Sequence, residues 1–150
     1  MKKNNIVETK RQIKLANLEE VKLLADNLAA IASPGLLLCL YGDLGSGKTT
    51  LAQFLIKNLA GDDNLTITSP TFNIMQIYTG KSCEIYHYDL YRLEEFRELA
   101  ELGLEELLQD NISIIEWPQI AEPILPEKNR INIYLSLQGE DRFCEIKICA

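Results

Sequence analysis

Several features that would settle a function quickly are missing from this sequence. The longest unbroken apolar run, Leu36 to Tyr41, is six residues, far short of the ~20 that a membrane-spanning helix needs. The N-terminus, "MKKNNIVETK", is basic but has no apolar stretch behind it, which argues against a secretory leader and points to a cytoplasmic protein. The four cysteines, Cys39, Cys83, Cys144 and Cys149, contain no C-x-x-C pair. Cys144 and Cys149 are an odd number of residues apart and would face opposite sides of a regular strand. The expectation is reduced, packed thiols and no cysteine metal site. Positive charge is scarce: 15 Lys and Arg against 22 Asp and Glu give a net charge of −7. A chain that grips a polyanion by itself usually carries the opposite sign, so direct tight binding of nucleic acid is disfavoured. There is no internal repeat, low-complexity tract or Pro/Gly/Ser-rich linker, and 150 residues suit one domain with a real core.

What is present reads as alternating strands and helices. "NNIVETKRQIKL" predicts a short strand, with Ile13 and Leu15 on one face. Asn17 with Glu20 three residues on has the form of a capping box. Leu18, Val21, Leu24, Ala25, Leu28 and Ile31 then keep helical spacing until Ser33-Pro34-Gly35. "LLLCLY" is apolar on both faces and predicts a central, parallel strand, followed by a helix from about Gly47 to Ala60. "LTITSPTFNIMQIYTG" and "CEIYHYDLY" are β-rich and flank a turn at Thr79-Gly80-Lys81-Ser82. "LEEFRELAELGLEELLQD" predicts an acidic amphipathic helix over 93–110, broken at Gly103. "ISIIEW" is a second doubly buried strand, and "RINIYLSL" with "RFCEIKICA" forms a terminal hairpin. The expected fold class is α/β: a single domain with a mixed, mainly parallel sheet flanked by helices.

Between "LLLCL" and "LAQFLIKNLA" stands "YGDLGSGKTT". Gly42-x-x-x-x-Gly47-Lys48-Thr49 has the P-loop spacing, and the strand before it and the helix after it are the context that motif requires. By average composition the four fixed positions match by chance in on the order of one in a few hundred chains this long. A nucleotide's phosphates need several backbone N–H groups converging on them. Glycines let the loop wrap without Cβ clashes, and the following helix aims its free amides and positive dipole end at the anion. The candidate cradle is Asp43, Leu44, Gly45, Ser46, Gly47, Lys48, Thr49 and Thr50. In it Lys48 reaches the outer phosphates and Thr49 offers a hydroxyl to Mg²⁺.

Such a site usually takes a carboxylate from the end of a neighbouring buried strand. Glu116 ends "ISIIEW" and Asp89 ends "IYHYD", where Ile85, His87 and Asp89 share one face. Spacing favours Glu116 as the metal acid and leaves Asp89 open between a turn residue, a partner for Arg92 and a functional acid. The lone His87 reads more readily as a half-buried strand residue than as a base.

Taken together, "GDLGSGKTTLAQ", "SPTFN", "YHYDLYRL", "LGLEELL" and "IIEWP", in this order, resemble the bacterial TsaE (YjeE) family over roughly residues 10–137. That family is the P-loop ATPase of tRNA threonylcarbamoyladenosine biosynthesis. The resemblance implies ATP or ADP in the loop, slow hydrolysis, and Mg²⁺ held by Thr49 and Glu116. It implies a role for Asp89 in orienting the attacking water or supporting the metal. Thr71 would be a switch residue near the γ-phosphate, and Trp117 would pack close to the nucleotide. It also implies TsaD and TsaB as protein partners that hold the tRNA, which is compatible with the acidic charge. Ser46 stands where many members have alanine, and Tyr88 where phenylalanine is common.

Three rival readings share the loop. A small-molecule kinase is the main alternative, but it needs an acceptor pocket and clustered cations, and the five arginines form no lid-like cluster in sequence. A GTPase usually shows N-K-x-D, which is absent. A non-catalytic subunit whose partner affinity follows nucleotide occupancy differs from a slow ATPase only in degree.

Overall fold

A seven-stranded mixed sheet divides the molecule into two apolar layers, and its central strands are those whose sequences are apolar on both faces. The computed structural model describes residues 11–70 and 73–149. The strands are β1 (Arg11–Leu15), β2 (Leu37–Tyr41), β3 (Met75–Thr79), β4 (Glu84–Asp89), β5 (Ile112–Glu116), β6 (Arg130–Gln138) and β7 (Asp141–Cys149). Their order is β1-β7-β6-β2-β5-β4-β3. The pairs β6–β2, β2–β5 and β5–β4 are parallel, and the flanking pairs β1–β7, β6–β7 and β3–β4 are antiparallel. Only strands covered on both sides can be uniformly apolar, and β2 and β5 are buried at nearly every position.

Helices α1 (Leu18–Ala30) and α2 (Lys48–Ala60) cover one face. They bury Val21, Leu24, Leu28, Leu51, Leu55 and Ile56 against Leu38, Leu40, Ile112, Ile114 and Ile133. Asn17 caps α1, its side chain accepting from the Glu20 amide at 3.0 Å, while Glu20 reaches back to the Ala16 amide at 2.6 Å. Two of the residues at helical spacing, Leu18 and Ile31, are nevertheless exposed at the ends of this stretch. The other face is covered by α3 (Glu98–Leu102), α4 (Leu104–Leu107) and a 3₁₀ turn over Pro118–Ile124. There Leu99, Leu104, Ala121 and Leu125 pack on Leu37, Cys39, Tyr88 and Ile115. Arg130 ties this turn to the sheet by donating to Glu122 and Tyr41 at 2.7 Å each.

Three expectations are corrected or bounded. The helix expected over 93–110 begins only at Glu98: Leu93 closes a separate tight turn on Leu90, the first turn leading into the helix runs from Glu95 to Glu98, and Gly103 breaks the helix in the left-handed region at φ 65°. The β-rich stretch from Leu65 becomes a strand only at Met75, after Pro70 and a left-handed Ile74. The first part of the N-terminal strand, residues 4–10, lies outside the described residues. Cys39 and Cys144 are buried, which pushes each thiol up to about 12.

Candidate functional site

Parallel strands β2, β5 and β4 all end at the same edge of the sheet, the edge where open α/β sheets bind ligands. Across this edge Leu40 aligns with Glu116, and Glu116 aligns with Asp89. The loop Gly42–Gly47 leaves β2 here and runs into α2. Gly42 has φ +149°, and a Cβ there would lie 2.5 Å from Ser46 Oγ and 2.6 Å from the Leu135 carbonyl oxygen. Only glycine fits at that point, since the second neighbour is backbone of an adjacent strand. Gly47 also has positive φ and sits at the start of α2 with no side-chain cap. The Ser46 amide donates to the Asp43 carbonyl at 3.1 Å, whereas the Gly45 and Gly47 amides make no hydrogen bond among the described residues. The loop therefore presents unsatisfied donors at a helix N-terminus, the arrangement that an anion completes.

Lys48 is 4% exposed and folds back into this loop. Its ammonium donates to the Gly42 and Asp43 carbonyls at 2.6 and 2.9 Å, and to Ser46 Oγ at 3.4 Å. It also stands 4.1 Å from the centre of the Trp117 ring, a cation–π distance. Burial lowers the Lys48 pKa, opposed by the charges of Glu116, Asp89 and Asp43. Trp117 itself takes a left-handed backbone, φ 56°, and its ring meets Tyr91 at 4.8 Å between centroids.

Glu116, 1% exposed, is the hub. One carboxylate oxygen accepts from Thr49 Oγ1 at 2.6 Å, and the other meets His87 Nε2 at 2.6 Å. A carboxylate accepts, so Nε2 carries the proton and the ring holds Glu116 from beneath. His87 Nδ1 is buried with no hydrogen-bond partner among the described residues. Asp89 lies alongside, accepting from the Tyr91 amide at 3.0 Å. Burial raises the Asp89 pKa, the neighbouring Glu116 charge adds to this, and the Tyr91 amide and the positive groups oppose it.

These groups enclose a cleft of about 390 Å³ whose lining includes Gly45, Lys48, Thr49, Asp89, Glu116 and Trp117. Leu44, Gly47 and Thr50 also line it. Asp43 and Ser46 do not line it; they lie under the loop as partners of Lys48. Thr71 lies outside the described residues. Sequence reasoning gave no role to Tyr91, Ser69 or Arg142, and read His87 as a half-buried strand residue more readily than as a base, whereas it is fully buried against Glu116. For His87 a signal existed, because it shares the Asp89 face of β4. For Arg142, on the far hairpin, none did.

Comparison with known proteins places the chain in a family. The family model for "Threonylcarbamoyl adenosine biosynthesis protein TsaE" matches residues 15–144. The chain belongs to the TsaE family. The matched segment contains the whole TsaE cleft, from Gly42 through Glu116 and Trp117 to Arg142. A tRNA threonylcarbamoyladenosine biosynthesis protein TsaE from Rickettsia felis is 44% identical over 88% of this chain and 77% of its own length. The protein of the same name from Bacillus subtilis is 37% identical over 83% and 77% respectively. The crystal structure of Bacillus subtilis YdiB superposes with a TM-score of 0.77 at 28% identity, covering 96% of this chain and 88% of that one. Among the described residues of this TsaE family member, no helix is long and apolar enough to cross a membrane.

Proposed function

We propose that this chain binds ATP with Mg²⁺ in the cleft and hydrolyses it slowly, as a component of tRNA threonylcarbamoyladenosine biosynthesis. The observation that carries the reading is the hub at Glu116. A loop with unsatisfied amides, a buried lysine, a hydroxyl and two aligned carboxylates converge on one small volume. The oxygen donors Thr49, Glu116 and Asp89 are hard ligands of the kind Mg²⁺ takes. Thr49 and Glu116 would hold the ion, and its charge would neutralise the outer phosphates.

The residues then divide the work. The amides of Gly45, Gly47 and the first turn of α2 wrap the phosphates. The Lys48 ammonium exchanges its carbonyl partners for phosphate oxygens, with Trp117 limiting where it can swing. His87 keeps Glu116 turned toward Thr49. Asp89 holds the attacking water and takes up part of its proton as the bond to the γ-phosphorus forms and the bond to the leaving ADP oxygen breaks. A carboxyl whose pKa is raised by burial suits that acceptor role. TsaD and TsaB are the proposed protein partners and would hold the tRNA, consistent with the net charge of −7 on this chain.

The test is release of phosphate from ATP by the chain alone and with TsaD and TsaB added. Turnover that rises with the partners supports the reading. Lys48→Ala is expected to abolish nucleotide binding, and Glu116→Ala to spare much of the binding while losing turnover. Wild-type hydrolysis in both variants would overturn the assignment. Phosphoryl transfer to a small alcohol or nucleoside in place of water would make the chain a kinase instead.

A further inference from the structure

Trp117 has a backbone that a bulky side chain disfavours. It stands in the left-handed region, φ 56° and ψ 56°, where such a residue persists only if its surroundings hold it. The 3₁₀ turn over Pro118–Ile124 follows at once, with Pro118 and Ala121 buried. Apolar burial draws the turn onto the sheet but is non-directional. Direction comes from Glu122, whose Oε1 accepts from Arg130 Nη2 at 2.7 Å and from Tyr41 Oη. Arg130 Nη2 also donates to Tyr41 Oη at 2.7 Å, and Arg130 Nε donates to Asn132 Oδ1 at 2.7 Å. The Arg130 side chain is 8% exposed and that of Glu122 42%, so the cluster is closed toward the sheet and open at the carboxylate. Tyr41 is stacked on Tyr134 with ring centroids 4.7 Å apart, which keeps its ring from following the turn.

Tyr41, Arg130 and Glu122 stand outside the lining of the cleft. They lie on the face of the sheet that carries Leu37 and Cys39, since Arg130 aligns with Leu37, Asn132 with Cys39 and Tyr134 with Tyr41. Yet they join the two segments that build the cleft. Tyr41 immediately precedes Gly42, whose carbonyl accepts from the Lys48 ammonium at 2.6 Å. Glu122 belongs to the turn that Trp117 opens, and the Trp117 ring centre is 4.1 Å from the same ammonium. The contacts close a circuit: Glu122 to Tyr41, along the chain to Gly42, across to Lys48 and Trp117, and back through the turn. We propose that Glu122 is a positioning residue: by accepting from Arg130 and Tyr41 outside the cleft, it fixes Trp117 over Lys48 within it. The role rests on the nucleotide reading above and deepens it. Glu122 touches no nucleotide. It acts through Trp117, which limits where the Lys48 ammonium swings as it moves from the loop carbonyls to phosphate. A gripping group displaced by even about 1 Å is costly to rate.

The experiment compares Glu122→Ala, Glu122→Gln and the double variant Glu122→Ala/Arg130→Met in the full chain. It reads ATP turnover, melting temperature, and the emission of Trp117, the single tryptophan, without nucleotide. Glu122→Ala is expected to lower kcat/KM for ATP roughly ten- to a hundred-fold and to shift the Trp117 emission maximum. Glu122→Gln keeps an acceptor oxygen and recovers most of both. Glu122→Ala also strands the buried guanidinium, which by itself lowers the melting temperature. Arg130→Met removes that charge, so the double variant melts higher than Glu122→Ala while its kcat/KM stays low. A kcat/KM that returns with the melting temperature in the double variant overturns the proposal, because Glu122 would then serve the fold alone. So does an unchanged kcat/KM or an unchanged emission maximum in Glu122→Ala. A wild-type chain that turns over no ATP brings down the nucleotide reading by itself, and the emission of the free chain then decides the positioning role.

Discussion

Replacing His87 by Phe isolates the contact on which the site's shape depends. The ring stays, so the buried space in β4 remains filled, but the donor to Glu116 disappears. That donor sits 2.6 Å from a carboxylate oxygen, and both side chains are at most 1% exposed. A hydrogen bond to a charged group contributes about 1.5–3 kcal/mol, and a buried oxygen left without its partner adds to the loss. One term opposes it: the unpartnered Nδ1 of His87 is removed as well. The net expectation is a loss of about 2 kcal/mol. For a chain of this length each kcal/mol moves the melting temperature by about 2–4 °C, so the transition should fall by about 4–8 °C. Trp117, the single tryptophan, stands beside Lys48 in the cleft, so its fluorescence follows the melt at the site itself. Pairing His87→Phe with Glu116→Leu closes a double-mutant cycle, with an expected coupling of about 1.5–3 kcal/mol. A residue that orients a metal ligand also shifts metal affinity by roughly 10–100-fold when removed, so Mg²⁺ should be needed at correspondingly higher concentration for turnover. A melting shift below about 1 °C together with coupling near zero would refute the reasoning, because the contact would then hold nothing in place.

Two glycines of one loop should behave differently. Gly42→Ala drives a Cβ to 2.6 Å from the Leu135 carbonyl and should cost about 2–3 kcal/mol with loss of ADP binding, whereas Gly45→Ala meets nothing within 4 Å. Gly45 at φ +79° should lose only the backbone term of about 1–2 kcal/mol, and urea titration of both variants checks the contrast. Because the folded Asp89 pKa is raised from 3.8, the fold is favoured by its protonated form, and that contribution fades as pH rises through the raised value. Asp89→Asn should therefore melt higher than wild type at pH 7, and the difference should vanish below the ordinary carboxylate pKa; equal shifts at both pH values would contradict the burial argument. Asn17→Ala removes the cap of α1 and should cost about 1 kcal/mol in the same titration without altering nucleotide binding.

Much of this was legible because local rules and tertiary packing agree. "LLLCLY" and "ISIIEW" are apolar on both faces since β2 and β5 are covered on both, and the period of two in β4 put His87 and Asp89 on the loop side. The hub itself was not legible. His87 aligns with Ile114, and it reaches Glu116 as the diagonal neighbour on the adjacent strand, a relation fixed by register and not by sequence spacing. Arg142 was hidden for the same reason: β7 comes near the loop only through the terminal hairpin pairing with β6. The acidic segment after Leu93 misled because its charge and apolar spacing suit a helix, while no capping side chain starts one before Glu98 and Gly103 stops it. Spacing along a chain reports faces of elements; it does not report which strands become neighbours.

The most direct measurement is a crystal structure of the chain grown with ADP and Mg²⁺. The account predicts the phosphates wrapped by the Gly42–Thr49 loop, with the metal at Thr49 Oγ1 and Glu116 in place of the 2.6 Å hydrogen bond that now joins them. A nucleotide bound elsewhere, or an intact Thr49–Glu116 bond beside a metal coordinated by other residues, would contradict it.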